Sequence, residues 1–286
     1  MAPEFRRHRD VPLAPREVRL VGPPPFLKWP GGKRYLVSYL LDAAPDTFNR
    51  YFEPFLGGGA LFLALQPRLA YLSDANPRLV ECYSAIRDDV DGVIRALRRL
   101  PNSEADYYRI RDSCPTSRAS RAARLIYLSA LSFNGIYREN RSGQFNVPYG
   151  GRHHRSVLAS VDLYSVSACL QRAHLNAGDF EIGVAKAREG DLVYLDPPYT
   201  TAHASNGFIR YNAKLFTWED QLRLAAVAES LARRGCHVLI TNAYHPSIKR
   251  LYPAFMRYRI QRSSRVAASS RFRTAIYEYI ITSYRA

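Results

Sequence analysis

Short apolar runs that end in a polar or acidic residue, each giving way to a helical stretch, constrain this chain more than any other feature. Arg50-Tyr51-Phe52-Glu53, Ala70-Tyr71-Leu72-Ser73-Asp74, Leu192-Val193-Tyr194-Leu195-Asp196 and His237-Val238-Leu239-Ile240-Thr241 have the length and apolar content of buried strands. Strands alternating with helices predict an α/β fold whose mostly parallel sheet is covered on both faces. Such open sheets take ligands outside the carboxyl ends of their strands, which is where Glu53, Asp74 and Asp196 are expected. From about Val80 to His174 the alternation lapses. Helical stretches such as 121–128 lead there into a turn-rich piece from Asn134 to Gly151, in which Ser142-Gly143 signals a hairpin.

Charge narrows the class of partner. Lys and Arg number 41 against 25 acidic residues, a formal balance of +16. An excess of that sign favours polyanions, because neutralised phosphates release condensed counterions. The hairpin adds Arg138, Asn140, Arg141, Gln144 and Asn146, residue types suited to reading base edges or to facing solvent. No run of about eighteen apolar residues is present, so no membrane partner is expected. Arg6, Arg7 and Arg9 are followed by no apolar signal core, which predicts a cytoplasmic protein. Residues 1–25, with Pro3, Pro12, Pro15, Pro23, Pro24 and Pro25, read as a basic, Pro-rich arm without a packed fold. Cys82, Cys114, Cys169 and Cys236 are scattered, with no zinc spacing; they read as reduced core cysteines, and neither they nor His153-His154 suggest a metal.

The sharpest chemical signal is Asp196-Pro197-Pro198-Tyr199, directly after the strand ending at Leu195. A planar amine conjugated to a ring is a poor nucleophile, and acceptors for its protons favour a more tetrahedral nitrogen. One carboxylate (Asp196) and one backbone carbonyl (Pro197) can supply them. Pro197 and Pro198 stiffen the turn, and Tyr199 offers a face for an extruded base. Glu53-Pro54-Phe55-Leu56-Gly57-Gly58-Gly59 follows an earlier strand and leads into the helical run 60–65, so its glycines let a ligand approach the backbone. Asp74 ends the next strand, about where an acid meets ribose hydroxyls in dinucleotide folds. These two features suit NAD, FAD and S-adenosylmethionine alike, and the Asp-Pro-Pro-Tyr turn favours methyl over hydride transfer. Lys28-Trp29-Pro30-Gly31-Gly32-Lys33 precedes a helix expected near Tyr35; Trp29 can stack on an adenosine or fill the core, and the lysines can meet a carboxylate.

Taken in order from Phe26 to Tyr284, these pieces resemble the Dam-type, D12 class of DNA adenine methyltransferases. The stretch 28–33 looks like the family's K-W-x-G-G-K, Glu53 to Gly59 like its cofactor loop, Asp74-Ala75-Asn76 like its D-x-N, and 196–199 like its D-P-P-Y. The resemblance implies a Rossmann-like S-adenosylmethionine-dependent methyltransferase sheet formed by 26–80 and 175–286. Residues 81–174 would form an inserted, mostly helical target-recognition subdomain carrying a β-hairpin. It implies that Trp29, Lys33, Glu53, Phe55, Gly57, Gly59 and Asp74 hold the cofactor, with Asp196 near its methionine end. Asp179-Phe180 resembles the pair that holds the cofactor's adenine. Lys28, Asn134, Arg138, Asn140, Asn146, Pro148 and Arg152 would contact double-stranded DNA, with Arg138 reading a guanine edge. Thr241-Asn242 and 263–271 resemble a later strand and a loop facing DNA.

The implied reaction is methylation of the exocyclic amine of adenine, with GATC the leading site. The arm is longer than a minimal family member needs, Gly57-Gly58-Gly59 is uninterrupted where the family's middle residue is usually larger, and Ile136 and Arg152 stand where the best-known GATC enzymes often differ. No obligate protein partner is evident. Cytosine or RNA as substrate is one alternative reading. A non-catalytic DNA-binding protein on the same fold is another, against which the intact turn and glycines argue.

Overall fold

The computed structural model describes residues 11–12, 22–140, 142–151, 162–200, 216–262 and 276–285. Its chain forms two compact units, one from Met1–Val18, Ser38–Phe52 and Val184–Ala286, the other from Arg19–Val37 and Glu53–Gly183. These units cut the chain at different places from the functional division at 80 and 175 expected above.

The first unit is built on a mixed sheet. Its strands are β1 (Val11–Pro12), β2 (Tyr51–Glu53, through Phe52), β5 (Leu192–Leu195), β6 (His237–Ala243), β7 (Met256–Arg262) and β8 (Ile276–Thr282), lying in the order β1-β7-β8-β6-β5-β2. β2, β5 and β6 run parallel, with Tyr51 opposite Leu192 and Leu192 opposite His237. β8 returns antiparallel between β6 and β7. β5 is buried at every position and β6 at all but its first, the pattern of strands covered on both faces. Helix α9 (Trp218–Arg233) packs on β6 and opens with a capping box between Thr217 and Asp220. Arg50 grips the fully buried Asp191 with two donors, at 3.0 and 2.6 Å, tying the approach to β2 to that of β5. Where a packed fold was not expected, Val11 and Pro12 of the arm pair with Tyr258 and Arg259. They form an edge strand, the place in a sheet that tolerates a proline.

The second unit pairs β3 (Ala70–Asp74) in parallel with β4 (Ala173–Ala177) and adds a helical cluster. α2 (Ala60–Leu65) follows the glycine loop, and α8 (Phe180–Val184) follows β4. Between β3 and β4 come α3 (Pro77–Asp88), α4 (Val90–Arg98), α5 (Glu104–Asp112), α6 (Arg118–Leu131) and α7 (Leu163–Leu170). The Asn76 side chain caps α3 by accepting from Arg78 and Leu79 N–H groups, and Pro77 fills the first turn, where its missing N–H costs nothing. α6 sits among α3, α4 and α5 and buries Leu125, Ile126, Tyr127 and Leu128. The helix expected near Tyr35 begins as a 3-10 turn over Arg34–Leu36 and becomes α1 (Val37–Ala43). Cys82 and Cys236 lie in the core as expected, whereas Cys114 is exposed. Among the described residues no helix is long and apolar enough to cross a membrane.

Candidate active site

The glycine loop of the second unit is held from two sides. Gly57 N–H donates to Asp74 Oδ2 at 3.0 Å, and Asn76 N–H donates to Asp74 Oδ1 at 2.9 Å. Burial pushes the Asp74 carboxyl above the usual aspartate range, and those two donors pull against it. From the other side the Tyr83 hydroxyl donates to the Gly57 carbonyl at 3.1 Å. Burial lifts the Tyr83 hydroxyl well above its ordinary pKa, so it remains a donor. Gly57 and Gly59 sit at φ +47° and +62°, where side chains are rarely tolerated. A Cβ on Gly57 would come within 3.2 Å of the Trp29 ring, and one on Gly59 within 2.9 Å of the Tyr83 hydroxyl. The loop is therefore backbone-faced and pre-formed.

Apart from Asp196, the other expected cofactor residues belong to this unit as well. Phe55 and Phe180 stack, with ring centroids 5.4 Å apart. Asp179 accepts the Glu181 N–H at the start of α8. Lys33 is buried, and its ammonium donates to the Gly31 carbonyl at 3.0 Å. Glu53 is buried at the end of β2. An aromatic pair, a buried carboxylate, a buried ammonium and an open backbone loop can hold a ligand that carries a ring, hydroxyls and a carboxylate.

In the first unit, Asp196 lies just past the carboxyl end of β5. Thr241, fully buried on β6, donates from Oγ1 to Asp196 Oδ1 at 2.6 Å, and the Tyr194 hydroxyl meets the same Oγ1 at 3.2 Å. The Pro198 carbonyl accepts from Gln221 Nε2 at 3.4 Å, and Gln221 Oε1 in turn accepts from Asn242 at 3.1 Å. Both amides are fully buried. Tyr199 donates from its hydroxyl to the buried Glu278 at 2.9 Å, which anchors the far end of its ring. One carboxylate and one aromatic face are thus held by β6, β8 and α9, on top of the stiffness of Pro197-Pro198.

The hairpin belongs to the second unit. It closes through a bridge between Glu139 and Phe145, with Asn140 N–H on the Gln144 carbonyl and Asn146 N–H on the Arg138 carbonyl. Gly143 takes the left-handed turn position at φ +71°. Asn134, also left-handed at φ 55°, is exposed beside the stem of Lys28, which packs on Gly135. Arg138 is exposed and donates from Nε to Asn146 Oδ1 at 2.8 Å. Asn140 spends its side-chain oxygen on the Ser142 and Gln144 N–H groups, closing the turn. Pro148 is exposed and accepts the Phe133 N–H. Trp29 stacks on Tyr137 at 4.5 Å, so it abuts both the glycine loop and the hairpin's base. Arg141, Arg152 and the loop 263–271 lie outside the described residues.

Thr241, Gln221, Glu278, Tyr83 and Tyr137 were not expected at the site. A polar residue inside an otherwise apolar buried strand, as Thr241 is within 238–241, is the signal that could have found one of them.

A pre-formed nucleoside-suited loop after one strand and a proline-stiffened acidic turn after another define a group-transferring enzyme of the nucleotide-binding α/β class. The sequence pattern described as D12 class N6 adenine-specific DNA methyltransferase matches residues 29–266, and the chain belongs to that family. It is 36% identical over 270 residues to the Type II methyltransferase M1.LlaDCHI of Lactococcus lactis subsp. cremoris, covering 91% of this chain and 95% of the relative. Identity to the Type II methyltransferase M.MjaIII of Methanocaldococcus jannaschii is 32% over 285 residues, covering 91% and 99%. To the DNA adenine methylase of Escherichia coli K12 it is 33% over 223 residues, covering 76% and 80%. The chain is an adenine-specific DNA methyltransferase.

Proposed function

We propose that this enzyme takes its methyl group from S-adenosylmethionine and delivers it to the exocyclic amine of one adenine, extruded from duplex DNA, within a short cognate site. The observation that carries the reading is the Asp196-Pro197-Pro198-Tyr199 turn, with its carboxylate oriented by Thr241 at 2.6 Å. When bound, S-adenosylmethionine supplies an electrophilic methyl group. The residues that would hold it are Trp29, Lys33, Glu53, Phe55, Gly57, Gly59, Asp74, Asp179, Phe180 and Asp196. Asp74 suits ribose hydroxyls, Lys33 a carboxylate, and the Phe55–Phe180 pair an adenine ring.

Asp196 and the Pro197 carbonyl accept from the target amine, which turns its lone pair out of conjugation. Tyr199 stacks on the extruded ring and so offsets part of the few kcal/mol that extrusion costs. Both act mainly through orientation and charge placement. The proton leaves after the methyl group arrives, so no strong base is required.

Residues 81–174 serve as the target-recognition region. Lys28, from outside that region, and Asn134, Arg138, Asn140, Asn146, Pro148 and Arg152 within it make the DNA contacts, and Arg138 reads a guanine edge. GATC is the first site to test. The reaction takes place on genomic DNA in the cytoplasm and requires no second protein.

The test is methyl transfer from labelled S-adenosylmethionine to unmethylated duplex DNA, followed by nucleoside analysis and mapping. N6-methyladenine confined to one short motif, and lost in Asp196→Ala, supports the reading. Near-normal turnover by Asp196→Ala, or label found in cytosine or RNA, overturns it.

A further inference from the structure

Residues along an extended strand alternate between its two faces, and this alternation divides the hairpin's side chains between two tasks. Tyr137 is buried and Glu139 partly so, while Arg138 and Asn140 between and beyond them are exposed. On the inner face, the Tyr137 hydroxyl and an Arg78 guanidinium nitrogen both donate to Glu139 Oε1. The same Arg78 nitrogen also donates to the Gly143 carbonyl at the turn. Gly143 sits at φ +71°, so glycine is favoured there by the turn's left-handed backbone, and the Arg78 guanidinium lies in ordinary contact beside it. Arg78 stands in the first turn of α3, whose cap Asn76 donates its N–H to Asp74. The hairpin is thus fastened to α3 at a strand carboxylate and at the turn carbonyl, while on its outer face Arg138 and Asn146 pair with each other.

We propose that Arg78 is a specificity-positioning residue. Through Glu139 and the Gly143 carbonyl it fixes the hairpin's tilt and register, so that Arg138 meets one base edge and not its neighbour. Arg78 itself touches no DNA in this scheme. The inference rests on the reading of Arg138 as a base contact. It adds that the fidelity of that contact is set from α3. A bidentate arginine–guanine contact discriminates by about 5- to 150-fold, and a hairpin free to tilt forfeits most of it.

The experiment measures kcat/KM on duplexes carrying the mapped cognate site and on duplexes with one base pair changed at the position that Arg138→Ala relaxes. For Arg78→Gln the cognate-to-changed ratio should fall about tenfold or more. Its kcat at saturating cognate DNA and its KM for S-adenosylmethionine should stay within about twofold of wild type. Glu139→Gln should behave alike, and the charge-swapped Arg78→Glu, Glu139→Arg double variant should recover part of the ratio. Arg78→Lys keeps the charge but not the forked donor, and should lose an intermediate amount; it also serves where Arg78→Gln does not fold. A ratio unchanged in both Arg78 variants, or an equal loss on both duplexes, overturns the inference alone. A wild type that methylates no adenine overturns the functional reading beneath it.

Discussion

Replacing Thr241 with valine removes one oxygen from the interior of the enzyme and leaves the shape of the side chain almost intact. Thr241 is fully buried, and its hydroxyl donates to Asp196 Oδ1 at 2.6 Å. A hydrogen bond to a charged group is worth about 1.5–3 kcal/mol. If all of that is spent on holding the carboxylate in its reactive orientation, the barrier rises by the same amount. At 1.36 kcal/mol per tenfold, kcat should fall by roughly 10- to 150-fold. Binding of the cofactor and of the cognate duplex should be nearly unchanged, because Thr241 is assigned no contact with either. The hydroxyl also meets Tyr194, so a modest loss of stability is expected, about 1 kcal/mol. Single-turnover methyl transfer with both substrates saturating isolates the relevant rate, and a melting curve checks the fold. A single-turnover rate within twofold of wild type, in a folded variant, would refute the claim that Asp196 is oriented through β6.

Three further outcomes follow from the same geometry. Tyr83→Phe deletes the donor to the Gly57 carbonyl and should weaken S-adenosylmethionine binding by about 3- to 10-fold in a titration without DNA, while DNA affinity stays constant. Asp74 holds its proton more tightly in the folded than in the unfolded chain, so the stability it contributes is full below the usual aspartate range and is lost as pH rises through the raised folded value. Asp74→Asn does not titrate there; wild-type minus variant unfolding free energy should therefore decline with rising pH across the acid range, and a flat or rising difference in urea melts contradicts this. Tyr199→Phe keeps the ring and removes the hydroxyl that donates to Glu278, so kcat should fall by less than about tenfold, whereas Tyr199→Ala should cost far more; equal losses in single-turnover assays would show that the ring does no stacking.

What the sequence made legible has a common physical character. The strands ending at Glu53, Asp74 and Leu195 lie within a residue of where their apolar runs end, because an apolar run bounded by polar residues can be buried in few other ways. The glycine loop and the proline turn were readable because their backbone demands admit few residue types. Thr241, Gln221 and Glu278 were not. Each reaches the turn through strand pairing or helix packing, across 45, 23 and 79 residues of chain respectively; Thr241 is marked only as a polar residue in an apolar run, and an isolated Gln or Glu looks ordinary until that pairing is known. Arg78 is a similar case. In sequence it is one arginine among many, and only the fold brings it to Gly143 and Glu139, 65 and 61 residues away. Asn140, proposed among the DNA contacts, also closes its own turn with its side-chain oxygen, a role that local spacing does not reveal.

The discontinuity of the first unit has a consequence for how the chain comes into being on the ribosome. The second unit is complete once Gly183 has been made, whereas the first draws on Ser38–Phe52 and then waits for residues as far as Ala286. Arg50 cannot meet Asp191, 141 residues later, until most of the protein has emerged. At about 5–20 residues per second, the apolar strand at Tyr51-Phe52 spends roughly 7 to 28 seconds without its β5 partner. The early-made half therefore has time to fold first, and the last strands, β7 and β8, close the sheet. Slow codons placed just after Gly183 should be tolerated, while truncation before β8 should leave an exposed, aggregation-prone β6 edge.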